Sequence, residues 1–404
     1  MRVEIKPGRA AGVITAPPSK SVAHRLLICA ALSDGVSRIS GISDCEDVSA
    51  TLESLKALGV NAVREGDDII ITGKNMLNAV PRGTLWCGES GSTLRFLIPI
   101  AMLSGKTAMF SGKGRLMERP MEIYEKLSRE RGLLFVKDGE SITVKGPLRG
   151  GEFAVAGNIS SQFISGLIFA LPLLKKDSII KIAPPIESRS YIDLTLDAVR
   201  QFGILARWVD DYTISIKGGQ SYKAQNLSVE GDFSGAAFPE ALNLFGGEVT
   251  VNGLREDSIQ GDRVFRKYFE LLKGGVPTVH IGDCPDLGPI LFAISAAKCG
   301  GVFTGTKRLK IKESDRARAM AEELKKFGTS VTVLDDKVVV YPAAFKKPCE
   351  VLSGHNDHRI VMALAVLLSI TGGEIEGAEA VKKSYPSFFE DLRTLGIEVT
   401  EYDA

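Results

Sequence analysis

The 404-residue sequence is poor in features that mark several classes of protein. Its six cysteines form no CxxC pair, which argues against a disulfide framework or a zinc site. The longest uninterrupted apolar run, residues 360–368, is too short to span a bilayer. The chain has 50 Lys and Arg residues and 49 Asp and Glu residues, a formal net charge of +1. A charge this small does not favour general binding to nucleic acid or membrane. The N-terminal MRVEIKPGR lacks the apolar run of a signal peptide, and we therefore expect a cytoplasmic protein.

What the sequence does contain is a unit that recurs six times. Each copy has a polar start, an apolar helix, a short strand, an amphipathic helix closing on glycine and, in most copies, a β-hairpin. The six polar starts are at Pro18, Gly88, Gly157, Gly231, Gly282 and Gly354. Helices as apolar as these must be buried on nearly all faces, so the sheets are expected outside them. The pattern therefore predicts an α/β fold with inverted layering.

The sixth copy, which ends at IEVTEYDA, is short of one strand. We expect MRVEIKP, at the opposite end of the chain, to supply it. The chain also exceeds the roughly 250–300 residues beyond which one core stops growing. We therefore predict a discontinuous domain of residues 1–17 and 231–404, and an inserted domain of residues 18–230, each with three copies of the unit.

Cationic side chains collect near the starts of the apolar helices. A helix N-terminus presents unpaired N–H groups and a partial positive charge, and so favours anions. The basic residues at these starts and in the neighbouring loops are Arg25, Arg95, Arg115, Arg119, Lys312, Arg316, Arg359 and Lys383. Because cations recur at equivalent places in several copies, the sequence predicts a small ligand that carries phosphate and carboxylate groups.

Candidates for acid–base chemistry are few. Asp286 lies at the start of the fifth apolar helix, and Glu313 lies beside Lys312. A carboxylate among cations suits a base, whereas an acid also needs desolvation. Asp315 could equally hold a neighbouring arginine in place, and His358 is interpreted as a packed or capping residue. No cluster of ligands completes a metal site, so no metal is predicted.

Eight motifs, in chain order, carry a family resemblance: PSKSVAHR, GESGSTLR, GRLMERP, SSQF, SRSYID, KESDR, NDHR and KKSYP. Through them the chain resembles the EPSP synthases, or 3-phosphoshikimate 1-carboxyvinyltransferases, over essentially its whole length. The resemblance implies a two-domain inside-out α/β barrel, the enolpyruvyl transferase fold, in a monomer without metal or organic cofactor. The implied reaction adds the enolpyruvyl group of phosphoenolpyruvate to the 5-hydroxyl of shikimate 3-phosphate through a tetrahedral intermediate, and then expels phosphate.

The same motifs imply roles for individual residues. The implied catalytic residues are Asp286, which takes the 5-hydroxyl proton, Glu313, which protonates the methylene carbon, and Lys20, which contacts both substrates. Shikimate 3-phosphate binding is implied for Lys20, Ser21, Arg25, Ser160, Ser161, Gln162, Ser188, Tyr191, Asp286 and Lys312. Phosphoenolpyruvate binding is implied for Lys20, Gly91, Arg95, Arg115, Gln162, Arg316, Arg359 and Lys383. The division of proton transfers among the catalytic three stays open, and domain closure around the two anions is expected.

Three other functions compete with this interpretation. The sister enzyme that transfers enolpyruvyl to a UDP-amino sugar usually carries a cysteine in the loop that here reads GKGRLMERP. An RNA-end cyclase would need a basic RNA surface, which the balanced charge does not favour. A non-catalytic phosphate-binding protein would not need Asp286 and Glu313 among its cations. Two departures from the family pattern, Glu89 and Arg308, put minor substrate contacts in doubt.

Overall fold

A computed structural model describes residues 1–402 and divides the chain into two compact units. The discontinuous unit joins Met1–Ser19 to the chain from Gly231 onward, and the continuous unit is Lys20–Glu230. The first crossing follows Ser19. Pro18 forms an antiparallel bridge with Gly231, and the Ser19 hydroxyl donates to Gln260 at 3.2 Å, both within the discontinuous unit. Within residues 1–402, no helix has both the length and the apolar composition needed to cross a membrane.

Twelve α-helices in the described residues alternate in character along the chain. They are α1 (Lys20–Leu32), α2 (Glu46–Ala57), α3 (Gly91–Ala101), α4 (Glu122–Glu130), α5 (Ser161–Ala170), α6 (Arg189–Gln201), α7 (Phe233–Ala241), α8 (Phe265–Lys273), α9 (Gly288–Ala297), α10 (Arg316–Lys326), α11 (His358–Thr371) and α12 (Phe388–Thr394). The odd-numbered helices are the apolar ones: α11 is buried at every residue from His358 to Ser369. The even-numbered helices bury one face, as α8 does with Phe265, Phe269 and Leu272.

The strands are short and lie between these helices. They are β1 (Arg2–Ile5), β2 (Ala11–Thr15), β3 (Ser33–Asp34), β4 (Val36–Ser40), β5 (Asn61–Glu65), β6 (Asp68–Thr72), β7 (Leu85–Trp86), β8 (Thr107–Ser111), β9 (Leu134–Lys137), β10 (Ser141–Lys145), β11 (Glu152–Ala156), β12 (Ser178–Ala183), β13 (Ala206–Asp210), β14 (Thr213–Ile216), β15 (Tyr222–Lys223), β16 (Asn226–Ser228), β17 (Glu248–Asn252), β18 (Thr278–His280), β19 (Gly301–Thr304), β20 (Val331–Val333), β21 (Lys337–Val340), β22 (Leu352–Ser353), β23 (Gly373–Glu376) and β24 (Val399–Tyr402). One face of a strand is typically buried, as in β12, where buried and exposed residues alternate strictly.

The continuous unit has three four-stranded sheets of one pattern. Their strand orders are β16-β4-β6-β5, β7-β8-β10-β9 and β11-β12-β14-β13. In each sheet the first pair is parallel and the other two pairs are antiparallel. The short strands β3 and β15 form a separate parallel pair. The apolar core of this unit lies entirely within residues 23–229 and includes the buried faces of α1, α3 and α5.

The discontinuous unit repeats that sheet pattern twice, in the orders β22-β23-β1-β24 and β18-β19-β21-β20. The sixth copy takes its missing strand from the N-terminus, since Val3 of β1 pairs with Ile375 on one side and Glu401 on the other. The fourth copy has only the parallel pair β2 and β17, because its hairpin is absent from the sequence. This unit has an apolar core of its own, which includes α7, α9 and α11.

Helices α3 and α5 approach closely at Gly166. A Cβ atom placed there would lie 2.3 Å from Tyr124 Oη and 2.4 Å from the carbonyl oxygen of Arg95. The single proton of the Tyr124 hydroxyl is shared between that carbonyl, 2.7 Å from Oη, and the Phe163 carbonyl, 3.0 Å from Oη. Glycine at 166 therefore makes room for a buried hydroxyl that ties the two helices together.

Replacing Gly166 with alanine is expected to destabilise the protein by about 1–3 kcal/mol, because the added methyl group overpacks the contact and displaces the tyrosine hydroxyl. Urea unfolding of the variant and the wild type measures the difference. Gly274→Ala is the matched control, since no atom lies within 4 Å of its built Cβ. Equal stability of Gly166→Ala and the control would contradict the close approach.

Candidate functional site

The densest charged contacts in the discontinuous unit surround Arg316, the first residue of α10. Its side chain is 1% exposed and contacts three carboxylates. Nη1 lies 2.7 Å from Asp286 Oδ1, Nη2 lies 2.7 Å from Glu313 Oε2, and Nε lies 2.8 Å from Asp357 Oδ2. Burial alone would lower the pKa of Arg316, but the three carboxylates outweigh it and raise that pKa. We call these four residues the Arg316 cluster.

Asp286 of this cluster also binds two further cations. Lys312 Nζ lies 3.1 Å from its Oδ1, and Arg359 Nη2 lies 3.1 Å from its Oδ2. Burial lowers the pKa of Lys312, and the positive charge of Arg316 lowers it further, while Asp286 opposes both effects. Asp286 therefore lies where three cations from two segments of the chain, residues 312–316 and Arg359, converge.

Helix starts bring these side chains together. Asp286 lies in the single 3₁₀ turn Pro285–Leu287, immediately before α9. Asp357 caps α11 by accepting the Arg359 N–H at 3.0 Å, and Arg316 opens α10. The unpaired N–H groups and partial positive charge of such helix starts favour bound anions.

Lys383 joins the cluster through a neighbouring loop. It ends the 3₁₀ helix Ala378–Lys383 and is buried. Its Nζ donates to the carbonyl oxygen of Asn356 at 2.6 Å and to the side-chain oxygen at 2.8 Å, one residue before Asp357. His358 is also buried at this helix start, with Nδ1 3.9 Å from Asp357 Oδ1.

In the continuous unit, Lys20 and Arg25 are held in different ways. Lys20 pairs with the carboxylate of Asp47 at 2.9 Å. Arg25, one turn further along α1, donates to the Tyr191 carbonyl at 2.8 Å, to the Thr195 hydroxyl at 2.8 Å and to the Ser21 carbonyl at 2.6 Å. Burial lowers the pKa of Arg25 to about 10. The groups that bond Arg25 are all neutral.

A second arginine site in this unit surrounds Gly91, the first residue of α3. Arg95 Nη1 donates to Gln162 Oε1 at 2.7 Å, and Gln162 Nε2 donates to the Ser92 hydroxyl at 2.9 Å. A Cβ on Gly91 would lie 2.8 Å from Arg119 Nη1 and 3.3 Å from Arg95 Nη1. Two arginines therefore flank a helix start at which only glycine leaves space.

The remaining implied residues of the continuous unit lie at or near helix starts, and one of them is exposed. Ser160 caps α5 by accepting the Gln162 N–H at 3.3 Å, and Ser161 is buried beside it. Ser188 is buried, with a left-handed φ of 57°, immediately before α6. Arg115 differs in exposure: its side chain is 48% exposed and pairs with Glu118 at 3.6 Å.

The site set inferred from the sequence leaves out several residues of these networks, among them Asp47, Asp357 and Arg119. Asp47 lies in the first turn of α2, where an acidic residue is typical of dipole compensation and gives no sign of its lysine partner. Asp357 was recognisable as a candidate N-cap from the order Asp-His-Arg before an apolar run. Arg119 is among the cations near the helix starts, but no motif assigns it a role.

The donor sets in this structure do not resemble a metal centre. Among residues 1–402, no group of three or more His, Cys, Asp or Glu side chains is arranged to hold a metal ion. The carboxylates of the Arg316 cluster each face a cation instead.

Comparison with known proteins identifies the family. The sequence model of the EPSP synthase (3-phosphoshikimate 1-carboxyvinyltransferase) family matches residues 5–392. The chain belongs to the EPSP synthase family. The 3-phosphoshikimate 1-carboxyvinyltransferase of Clostridium kluyveri is 40% identical, over 99% of this chain and 98% of that protein. The corresponding protein of Clostridium perfringens is 41% identical, over 98% of each chain.

Solved structures agree on the fold. The EPSP synthase of Acinetobacter baumannii superposes with a TM-score of 0.79 at 24% identity, covering 99% of this chain and 100% of that one. The fold is accordingly the two-domain inside-out α/β fold of the enolpyruvyl transferases, as the six repeats predicted. In this chain the fold is recognised by the odd-numbered helices, which are buried in the apolar cores of the two units.

Arg316→Ala is expected to lower the free energy of unfolding by about 3–5 kcal/mol at pH 7, because it leaves buried carboxylates without their shared cation. In the variant those carboxylates should have raised pKa values when folded, so the folded state binds more protons than the unfolded state. Its stability should therefore fall as pH rises, and the deficit should be smaller at pH 5 than at pH 7.

Urea unfolding at both pH values tests this expectation. Arg318→Ala is the control, because the side chain of Arg318 is 76% exposed on the same helix. A deficit that stays constant or grows on acidification would show that the three carboxylates do not depend on Arg316.

Proposed function

We propose that this protein is a 3-phosphoshikimate 1-carboxyvinyltransferase in which the Arg316 cluster holds the reacting groups. It transfers the enolpyruvyl group of phosphoenolpyruvate to the 5-hydroxyl of shikimate 3-phosphate, in the shikimate pathway of aromatic amino acid synthesis. The observation that carries the residue-level proposal is the convergence of Lys312, Arg316 and Arg359 on Asp286. The discontinuous and continuous units are proposed to be the two domains of the enzyme.

Shikimate 3-phosphate is assigned to one group of residues. They are Lys20, Ser21, Arg25, Ser160, Ser161, Gln162, Ser188, Tyr191, Asp286 and Lys312. Arg25 supports this assignment most directly, because it is a buried cation whose bonding partners are neutral. Phosphate carries about −1.5 to −2 charges at pH 7 and would compensate it.

Phosphoenolpyruvate is assigned to a second group, consisting of Lys20, Gly91, Arg95, Arg115, Gln162, Arg316, Arg359 and Lys383. Its carboxylate and phosphate suit the planar fork of arginine, which binds such groups bidentately. The space left by glycine at 91 beside Arg95 and Arg119 supports an anion at that helix start. Arg115 is the weakest member, since it is half-exposed and paired with Glu118.

The charges around Asp286 support its proposed catalytic role, and the roles of Glu313 and Lys20 rest on the motifs that carry the family resemblance. Asp286 is proposed to take the proton of the 5-hydroxyl as that oxygen attacks C2 of phosphoenolpyruvate, because three cations favour its ionised form. Glu313 is proposed to deliver a proton to the methylene carbon, giving a methyl group in the tetrahedral intermediate. Loss of one methyl proton and of phosphate then restores the vinyl group. Lys20 contacts both substrates, and the three residues share these proton transfers.

The reaction needs two small anions and, in this proposal, no metal or organic cofactor. The enzyme is proposed to work as a monomer in the cytoplasm. The deciding experiment measures phosphate release from phosphoenolpyruvate by the purified protein, with and without shikimate 3-phosphate. Release that occurs only with both substrates supports the proposal, whereas release with a UDP-amino sugar instead would assign the sister activity.

Asp286→Asn and Glu313→Gln are expected to retain binding of both substrates and to lose turnover by about 10²–10⁴-fold, the usual contribution of a positioned acid or base. Calorimetric titration measures binding, and phosphate release measures kcat. Asp315→Asn is the control, because asparagine caps a helix as well as aspartate does and leaves the cluster unchanged. Loss of binding without loss of turnover in the remaining complex would reassign both residues to structure.

Gly91→Ala is expected to raise KM for phosphoenolpyruvate by about tenfold or more, because the methyl group would displace the tips of two flexible arginines by several tenths of an ångström. Stability should change little, since the atoms displaced are side-chain ends. Steady-state kinetics in each substrate check this, and KM for shikimate 3-phosphate is the internal reference. An unchanged KM for phosphoenolpyruvate would remove Gly91 from that site.

A further inference from the structure

The loop that carries Asn356 and Asp357 has an unfavourable backbone. His355 and Asn356 are consecutive residues in the left-handed region, with φ values of 48° and 51°. Residues other than glycine rarely adopt this region, and they stay in it where surrounding contacts hold them there. The contacts of the loop therefore decide where Asn356 and Asp357 lie.

Glu323, on α10, makes the contacts that hold the first half of this loop. Its side chain is 2% exposed. Oε2 accepts the N–H of Ser353 at 3.0 Å, and Oε1 lies 2.9 Å from Nε2 of His355. The Ser353 hydroxyl in turn accepts the N–H of His355 at 3.2 Å. One carboxylate thus binds the residues on both sides of Gly354.

Glu323 is held in its ionised form by a third partner. Lys326 Nζ lies 2.9 Å and 3.2 Å from its two oxygens and also donates to the Val351 carbonyl at 3.2 Å. Burial would raise the pKa of Glu323, but the bonds from His355, Lys326 and Ser353 outweigh it and lower that pKa. The exposed Glu322 lies 4.0 Å from His355 and contributes one more negative charge nearby.

Helix α10 therefore binds the loop at two points. Arg316 binds Asp357 at the end of the loop, and Glu323, seven residues later on the same face, binds its start. Between these points, Asn356 accepts both hydrogen bonds from Lys383. On its other side, Gly354 is packed so closely that a Cβ there would lie 2.9 Å from the carbonyl oxygen of Gly377, where the segment leading to Lys383 begins.

We propose that Glu323, acting through His355, is a positioning residue for phosphoenolpyruvate. It holds residues 353–357 in the conformation that orients Lys383 and Arg359, and it does not touch the substrate itself. The inference rests on the proposed function, which assigns Lys383 and Arg359 to phosphoenolpyruvate. No motif of the sequence analysis gives Glu323 or His355 this role.

The test compares three single variants and one double variant of the full-length enzyme in steady-state kinetics. Glu323→Gln keeps the shape of the side chain and removes its charge. His355→Asn removes the contact with Glu323 but tolerates the left-handed backbone, so it serves if the first variant folds poorly. Glu322→Gln is the matched control, because it removes a neighbouring charge near the same histidine without touching the loop backbone.

We call Glu323→Gln and His355→Asn the loop variants, because each removes a contact that holds the loop. Each is expected to lower kcat/KM for phosphoenolpyruvate by about 10–100-fold, mainly through KM, because a small displacement of the binding groups weakens substrate binding strongly. KM for shikimate 3-phosphate and the far-ultraviolet circular dichroism should change little, and Glu322→Gln should match the wild type. The double variant should be no worse than the poorer single variant, since both changes remove the same contact between Glu323 and His355.

Two results would overturn the inference alone: wild-type kinetics in phosphoenolpyruvate for both loop variants, or equal losses for both substrates in proportion to unfolded protein. A wild-type enzyme that releases no phosphate with shikimate 3-phosphate would instead overturn the proposed function, and this inference with it.

Discussion

The bonding of one buried arginine to three carboxylates is the constraint on which the rest of the discontinuous unit's site depends. Removing four charges from water is costly, and only close, well-aligned pairs offset that cost. Arg316 provides three such pairs, each 2.7–2.8 Å long. Because the carboxylates come from before α9, before α10 and before α11, satisfying the arginine also fixes three helix starts relative to one another.

The inverted layering explains why polar groups can gather at those starts. Helices such as α9 and α11 are buried along almost their whole length, so their sides offer no place for charged residues. Polar side chains are thereby confined to the helix ends. At the N-terminal ends, free N–H groups and the partial positive charge favour carboxylates and anionic ligands. The apolar core and the charged site are therefore consequences of the same sequence pattern.

How much of this the sequence could predict depends on the range of the interaction. Local patterns can be predicted from the sequence. They are the six repeats, the burial of the odd-numbered helices and the cations near the starts of those helices. The ion-pair partners cannot be predicted in this way, because they are distant in the sequence. Arg316 and Asp357 are 41 residues apart, and Lys20 and Asp47 are 27 apart. The pairing of carboxylates with cations depends on how the helices pack. Helix packing in turn depends on the sizes of the side chains at each contact, as the close approach at Gly166 illustrates. Arg115 shows the reverse case, since its motif is clear but its side chain lies exposed.

Two buried arginines, Arg316 and Arg25, are compensated differently, and the difference bears on binding. Arg316 is neutralised by carboxylates of its own unit, whereas the partners of Arg25 are two carbonyls and a hydroxyl, with the Phe96 ring 5.2 Å away. Burial lowers the pKa of Arg25 to about 10, which reports an unfavourable environment for its charge. An anion bound beside Arg25 would offset the cost of burying its charge. The folded state should gain stability from such a ligand in proportion to the logarithm of its concentration.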